Sequence, residues 1–491
     1  MDSTGEPLHV IFLPYMAPGH MMPMVDIARL FAAHGVHVTI ITTKMNALRF
    51  KATIDRDVAA AGRHITLEIL PFPSAEAGLP EGCENLADTP SHEMAMRLFH
   101  TIDLLQPPIE KLLRDSRPDC IVSDSFFHWT VDIALELGIP RIFFSSGGFF
   151  HHSIRYAVEH YQLHKNIHFE REPFVIPSLP DQVLITKSQL LFMGKTTTTF
   201  LELFGRVKEA EKKSYGMVAN SFHALESAYA DYYRKAIGIK GWHVGPVSLF
   251  NKDEVDKAER GDKATINRES CLHWLNFKEP NSVLYVCFGS LSQFSKIQLT
   301  EMAHAFEDTN CSFIWVVPKV LKTNEEVDQD EAWWLPEGFK ERMEESGKGL
   351  ILMGWAPQVL ILEHRAIGGF LTHCGWNSIV EGVTAGLPLV TWPLFGDQFD
   401  NEKLVTQVLR IGVPVGNEEW KMCPTDETSL ISRVKIHKAV SHVMDGGNEA
   451  EGMRSIVKRL GELAKEAIED GGSSYNDLKT LMEDIKLYRQ K

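Results

Sequence analysis

The hydrophobic pattern of this chain alternates between two periods. Leu8 to Leu13 is a short apolar run that predicts a strand. Met24 to Ala33 then carries apolar residues at helical spacing and stops at Gly35, a residue suited to a helix C-cap. Val36 to Thr42 predicts the next strand; a strand at Asp119 to Ser123, a helix around Thr130 to Leu137 and a strand within Pro140 to Ser145 come later. This βαβα order implies a parallel sheet covered by helices on both faces. The alternation breaks at Lys252 to Lys263, where KDEVDKAERGDK is charged at nine of its twelve positions and has no apolar face. That stretch predicts an exposed interdomain linker.

Beyond it the alternation restarts, with strands at Val283 to Phe288, Phe313 to Val317, Leu350 to Met353, Gly369 to Thr372 and Pro388 to Trp392 and a helix near Leu299 to Phe306. Thr323 to Glu331 reads as an acidic surface loop, and helices at Ala450 to Ile468 and Tyr475 to Tyr488 flank a break at Gly471 to Ser474. The predicted fold class is α/β. The predicted organisation is an N-terminal Rossmann-like domain over 1–250, a charged linker over 251–268, a C-terminal Rossmann-like domain over 269–460 and closing helices over 461–491. Two such units facing across a cleft place the ligand there, because open sheets bind ligands at their strand carboxyl ends and domain interfaces favour pockets.

Composition removes several function classes. Hydrophobic residues make up 44% of the 491 positions and charged residues 23%, ordinary globular values. A net charge of −15 argues against a nucleic-acid partner and against docking on anionic lipid. The seven cysteines form no CxxC pair, which fits free thiols in a reducing compartment and offers no zinc pattern. MDSTGEPLHVIFLPYMAPGH has no basic n-region, and no apolar run reaches the roughly 18 residues of a membrane span. These points predict a soluble, cytoplasmic protein without membrane insertion.

Three stretches imitate chemistry. Gly194-Lys195-Thr196 ends like a P-loop, but Gln189 stands where the pattern needs its first glycine. Asp55-Arg56-Asp57 and Asp328-Gln329-Asp330 have the carboxylate spacing of a Mg²⁺ site, yet both read as solvated surface. HExxH, GxSxG and GxGxxG are all absent, which weakens protease, hydrolase and dinucleotide-oxidoreductase readings.

The densest chemistry lies between Trp355 and Gln398. A strand at Gly369 to Thr372 runs into His373-Cys374-Gly375-Trp376-Asn377-Ser378, a glycine-containing turn into a helix that carries Glu381. Such a turn aims free N–H groups at one spot and forms an anion site, to which His373 and Ser378 add donors. Asp397 and Gln398 follow the next strand and can grip hydroxyls, and Trp355 offers a flat face for a base. Read singly, Trp355 and Trp376 could equally be core aromatics; read together, the set suits a nucleoside diphosphate bearing a sugar.

This stretch resembles the 44-residue signature box of plant UDP-dependent glycosyltransferases of secondary metabolism, with Trp first, Gln last and HCGWNS inside. GHMMPMVDIARL near the start and GGSSYNDL near the end resemble the same family, so the likeness covers nearly the whole chain. The resemblance implies a GT-B fold, a UDP-sugar donor and no metal or resident cofactor. It implies that Trp355 stacks on uracil with Gln358 beside the nucleotide, and that Glu381 binds the ribose. His373, Asn377, Ser378 and Ser290 would hold the diphosphate, and Trp376, Asp397 and Gln398 the sugar. Trp376 suits a neutral hexose, and Gln398 favours glucose while leaving galactose open.

An acceptor hydroxyl needs a general base. His20 follows the first strand's loop and precedes the predicted first helix; Asp124 comes just after another strand, at the same sheet edge. A carboxylate behind a histidine fixes its tautomer and stabilises the imidazolium, and the resemblance matches both residues to the family's His–Asp pair. His128, His151 and His152 have no such support and read as structural. Phe126, Phe127 and the Phe143-Phe144 to Phe149-Phe150 runs suggest apolar acceptor walls. Ser145 and Ser146 stand where many relatives have a Gly-Thr pair that meets the sugar. FLPYMAPGHMMPMVDIARLFA and PSLPDQVLITKSQL resemble members acting on triterpenoid sapogenins and saponins, with flavonoid and phenolic acceptors the alternative. The expected partners are a UDP-sugar and a hydrophobic small molecule, handled by a monomer. An epimerase or hydrolase on the same fold, or a non-catalytic carrier, are the competing readings.

Overall fold

The computed structural model of the chain describes residues 6–89, 91–190, 198–262, 268–317, 319–320, 334–421 and 430–490. Gly194-Lys195-Thr196, Asp328-Gln329-Asp330, the loop Thr323 to Glu331 and Cys423 lie outside the described residues. The chain divides into two compact units: one spans Met1–Phe149, Thr196–Asp262 and Glu466–Lys491, the other Phe150–Lys195 and Lys263–Lys465.

The first unit is built on seven parallel strands: β1 (His9–Leu13), β2 (His37–Thr43), β3 (Ile65–Leu70), β4 (Cys120–Asp124), β5 (Arg141–Phe144), β6 (Gly216–Ala219) and β7 (Lys240–His243). Their order is β3-β2-β1-β4-β5-β6-β7. The chain leaves β1 toward one side and returns on the other at β4, so the topological switch point lies between those two strands. Val10, Phe12, Val122 and Ile142 on one face and Ile11, Ile121 and Phe143 on the other are all fully buried, as in a sheet covered on both faces. Leu478, Leu481, Met482 and Ile485 of the last helix, Ser473–Arg489, join the same core.

The second unit has six parallel strands: β8 (Val283–Cys287), β9 (Ser312–Val317), β10 (Gly349–Met353), β11 (Ile367–Thr372), β12 (Leu389–Thr391) and β13 (Gly412–Pro414). Their order, β10-β9-β8-β11-β12-β13, puts the switch point between β8 and β11.

Three expectations change. The first helix is Pro18–Ala33, so His20 sits in its first turn and does not precede it. Pro18 takes an early position where its missing N–H loses no bond, and its fixed φ starts the helix. The charged stretch after Asn251 is not a bare tether. Glu254–Glu259 is helical, Asp256 accepts from buried Arg29 Nη2 at 3.0 Å and from Arg56, and Arg260 Nε donates to Asp26 at 2.8 Å. Its charges serve partners some two hundred positions away, which no local pattern discloses. Asp57 is likewise not solvated: it is buried and accepts from Arg29 Nε at 2.5 Å and from Arg63. The six described cysteines are buried free thiols. Among the described residues no helix is long and apolar enough to cross a membrane.

Candidate active site

Each switch point carries one group of the expected site residues. In the first unit, β1 leads through Pro14 to Ala17 into the helix bearing His20, and Asp124 ends the neighbouring β4. His20 Nδ1 lies 2.8 Å from Asp124 Oδ2; the carboxylate is fully buried and the imidazole 21% exposed. The other oxygen, Oδ1, accepts the Phe126 N–H at 3.0 Å. An ionised carboxylate only accepts, so Nδ1 carries a proton in this contact, and in the neutral ring the lone pair then sits on Nε2.

An aromatic wall surrounds this pair. The Phe126 ring centroid is 5.5 Å from that of His20 and 4.7 Å from that of Tyr15, and Phe99 packs on Tyr15 and Phe126. Phe127 is 1% exposed and packs edge-on against both Tyr15, at 6.3 Å between ring centroids, and Trp129, at 6.0 Å. Ser145 and Ser146 are partly exposed after β5, and Ser145 Oγ accepts the Gly147 N–H at 3.4 Å. Tyr15 and Phe99 were not anticipated: Phe99 comes from the separate helix His92–Leu104. Burial pushes the Tyr15 phenol well up, and the Asp124 charge adds to this, so it stays neutral.

In the second unit the expected residues all follow strand carboxyl ends. Ser290 follows β8, Trp355 and Gln358 follow β10, the His373 to Ser378 turn follows β11, and Asp397 and Gln398 follow β12. The helix Trp376–Thr384 begins within that turn, whose Cys374 has a left-handed φ of 65°. Such strain in a non-glycine residue persists only where the surroundings impose it. Here Asn401 Nδ2 holds the Cys374 carbonyl at 2.9 Å and also donates to Asp397 Oδ2 at 2.9 Å. Asn401 was missed, although its i+4 spacing from Asp397 on a helix is a legible signal.

The His373 ring lies between two glycines. A Cβ at Gly289 would come within 2.7 Å of His373 Nε2, and one at Gly375 within 2.5 Å. Gly289 also has a left-handed φ of 71°. Burial lowers His373 to about 4, so the ring is neutral at physiological pH. His373 Nδ1 is buried without a hydrogen-bond partner among the described residues. Gln358 Nε2 donates to Glu381 Oε2 at 2.7 Å and to Ser378 Oγ at 3.3 Å, which joins three of the expected residues. Trp355 and Asn377 are partly exposed, and Trp376 is 2% exposed.

Gln398 opens the short helix Gln398–Lys403, and its side-chain oxygen accepts the Leu394 and Phe395 N–H groups at 2.8 and 3.0 Å. What it offers a ligand is therefore its amide donors, while Asp397 beside it accepts. Burial raises the Asp397 carboxyl, and nearby His151 opposes that. His151 Nδ1 lies 2.7 Å from Asp400 Oδ2, one turn beyond Asp397.

Residues 106–426 match the family described as UDP-glucoronosyl and UDP-glucosyl transferase. The chain belongs to the UDP-glycosyltransferase family. The transferase is 48% identical over 486 residues to a UDP-glucose flavonoid 3-O-glucosyltransferase of Fragaria ananassa, covering 98% of this chain and 96% of that one. It is 46% identical over 489 residues to a soyasapogenol B glucuronide galactosyltransferase of Glycine max, covering 99% and 97%. A crystal structure of Glycyrrhiza uralensis UGT73P12 complexed with glycyrrhetinic acid 3-O-monoglucuronide superposes with a TM-score of 0.92 at 43% identity, over 99% of this chain and 97% of that one. The fold of the transferase is accordingly GT-B, and it is a UDP-glycosyltransferase of the plant secondary-metabolism type.

Proposed function

We propose that the transferase moves glucose from UDP-glucose to a hydroxyl of a triterpenoid or steroid sapogenin or saponin, with inversion at the anomeric carbon. His20 is the general base and Asp124 its support. The observation that carries the chemistry is the 2.8 Å contact between His20 Nδ1 and buried Asp124. The acceptor oxygen attacks the anomeric carbon as His20 Nε2 takes its proton, and the bond from that carbon to UDP breaks. Asp124 stabilises the resulting imidazolium.

The leaving diphosphate is met by the N-terminus of the helix Trp376–Thr384, by Asn377, Ser378 and Ser290, and by a neutral His373 donating a ring N–H. These preorganised donors act in place of a metal ion. Trp355 stacks on the base, Gln358 lies beside it, and Glu381 takes the ribose. Trp376, Asp397 and Gln398 read the hexose, with acceptor and donor groups side by side. Phe126, Ser145 and Ser146 face the acceptor, and Phe127 backs that wall. The donor is bound by the domain 269–460, the acceptor by 1–250, and the protein works as a cytoplasmic monomer.

Two relatives support the saponin reading: the Glycine max enzyme is named for a sapogenol glucuronide, and the Glycyrrhiza uralensis structure holds a glucuronide. The flavonoid name of the Fragaria ananassa relative favours phenolic acceptors as the second reading. The test is incubation with UDP-glucose or UDP-galactose, with EDTA, against triterpenoid, steroid and flavonoid panels. Hexose adducts of the sapogenin panel support the proposal. Adducts of the flavonoids alone replace its acceptor, and adducts formed only with UDP-galactose replace its donor.

A further inference from the structure

Arg141 opens β5, next to β4, and its side chain is buried at 2% exposure. Its Nε donates to Ser123 Oγ at 2.9 Å and Thr130 Oγ1 at 3.1 Å, its Nη1 to Ser214 Oγ at 2.8 Å, and its Nη2 to the main-chain carbonyl of Asp124 at 3.2 Å. All four partners are neutral oxygens. Burial pushes the guanidinium down to about 10, against the pull of Glu211 and Asp124, so it is charged at neutral pH. A buried cation is tolerated where buried anions share its field. Here those are the Asp124 carboxylate, 0% exposed, and Glu211, 6% exposed, on the helix Thr198–Lys213. Asp124 has the converse need: its side chain accepts from His20 and the Phe126 N–H, both neutral in the resting pair, inside an apolar wall.

We propose that Arg141 is a positioning residue for the His20–Asp124 pair: it holds the end of β4 through the Asp124 carbonyl and places a buried positive charge in the field of the Asp124 carboxylate. This rests on the reading of His20 as the base. An ionised Asp124 keeps the His20 proton on Nδ1 and the lone pair on Nε2. The sign of the effect does not depend on which member of the pair takes a proton. Removing a nearby cation raises the pair's affinity for it, so the pair titrates at higher pH. The other groups facing Arg141 and the pair are Glu211, Tyr15 and His128. His128 is itself lowered by burial, with Arg206 and Arg141 adding and Asp103 opposing. These groups stay in place when Arg141 is replaced.

The readout is the pH titration of the His20 ring, followed by NMR on the full chain labelled at histidine and assigned by the signal missing in His20→Ala. In Arg141→Gln the midpoint rises, as removal of a neighbouring cation requires. In Arg141→Lys, which keeps the charge, it stays close to wild type. Glu211→Gln, which removes an anion and leaves Arg141 in place, moves it down; if Arg141→Gln does not fold, an unmoved midpoint in Glu211→Gln shows that buried charge around Arg141 does not reach the pair and overturns the proposal. A merely structural Arg141 lowers thermal stability in both of its variants and leaves the midpoint alone; an unmoved midpoint in the folded variants overturns the proposal. Transfer by His20→Ala is assayed in parallel. Retained transfer removes His20 from the chemistry while the titration still reports on Arg141; lost transfer with an unmoved midpoint overturns the role of Arg141 alone.

Discussion

Replacing Asp124 with Asn is the substitution whose consequence follows most directly from the geometry. The two side chains are nearly the same size, so packing changes little. Asp124 Oδ1 accepts the Phe126 N–H at 3.0 Å and Oδ2 faces His20 Nδ1 at 2.8 Å. An asparagine keeps its oxygen on the Phe126 N–H, the only arrangement that avoids opposing two donors there. Its NH₂ group then points at His20 Nδ1 and requires that nitrogen to accept. The proton moves to Nε2, and the base faces the acceptor with a hydrogen where it needs a lone pair. General-base catalysis contributes about 10²–10⁴ in rate, equivalent to about 3–5.5 kcal/mol of barrier. The expected loss in kcat for Asp124→Asn is about a thousandfold, in the middle of that range. Donor affinity should be unchanged, because the residues proposed to bind the UDP-sugar follow strands of the other unit. The assay is UDP release with saturating acceptor, alongside calorimetric titration of UDP. Activity within about tenfold of wild type, a barrier change of only about 1.4 kcal/mol, would refute the tautomer argument.

Three further outcomes follow from the same contacts. Gly289→Ala places a Cβ within 2.7 Å of His373 Nε2 at a φ of 71°, so UDP affinity should fall at least about tenfold while the protein still folds, as titration calorimetry will report. Arg29→Met leaves Asp26, Asp57 and Asp256 without their shared cation; unfolding in denaturant should register a loss of about 3–5 kcal/mol, with kcat per folded molecule unchanged. His373, held near 4 against a reference of 6.5, is neutral in both states above pH 6.5 and protonated only in the unfolded chain just below it. Stability should therefore fall as pH drops from 6.5 to about 4, by up to about 3 kcal/mol from this residue, and His373→Gln should flatten that part of the curve.

What the sequence discloses and what it hides divide along physical lines. Central strands such as β1, β8 and β11 are apolar runs buried on both faces, so they stand out from composition alone. Three of the four edge strands of the two large sheets do not. Ile65–Leu70 is half exposed, Gly412–Pro414 has three residues, and the four residues of Lys240–His243 are interrupted by Gly241. That glycine is required by packing: a Cβ there would sit 2.5 Å from the Phe149 ring. The same division holds in the candidate site. Residues clustered between Trp355 and Gln398 were legible because one stretch carries them all. Phe99 and Arg141 were not, since each meets the His20–Asp124 region only through the tertiary fold. Asp256 belongs to the same class: its partner Arg29 lies in the first helix, so a charge that pairs internally was read as one that meets water.

The central claim is that a single displacement assisted by His20 moves the sugar. The most direct measurement is the anomeric configuration of the product made from UDP-α-glucose, read from the coupling constant of its anomeric proton, with His20→Ala run beside wild type. A β-linked glucoside, formed in EDTA and lost in His20→Ala, is the predicted result. An α-linked product, or a β-linked one made equally well by His20→Ala, would contradict the account.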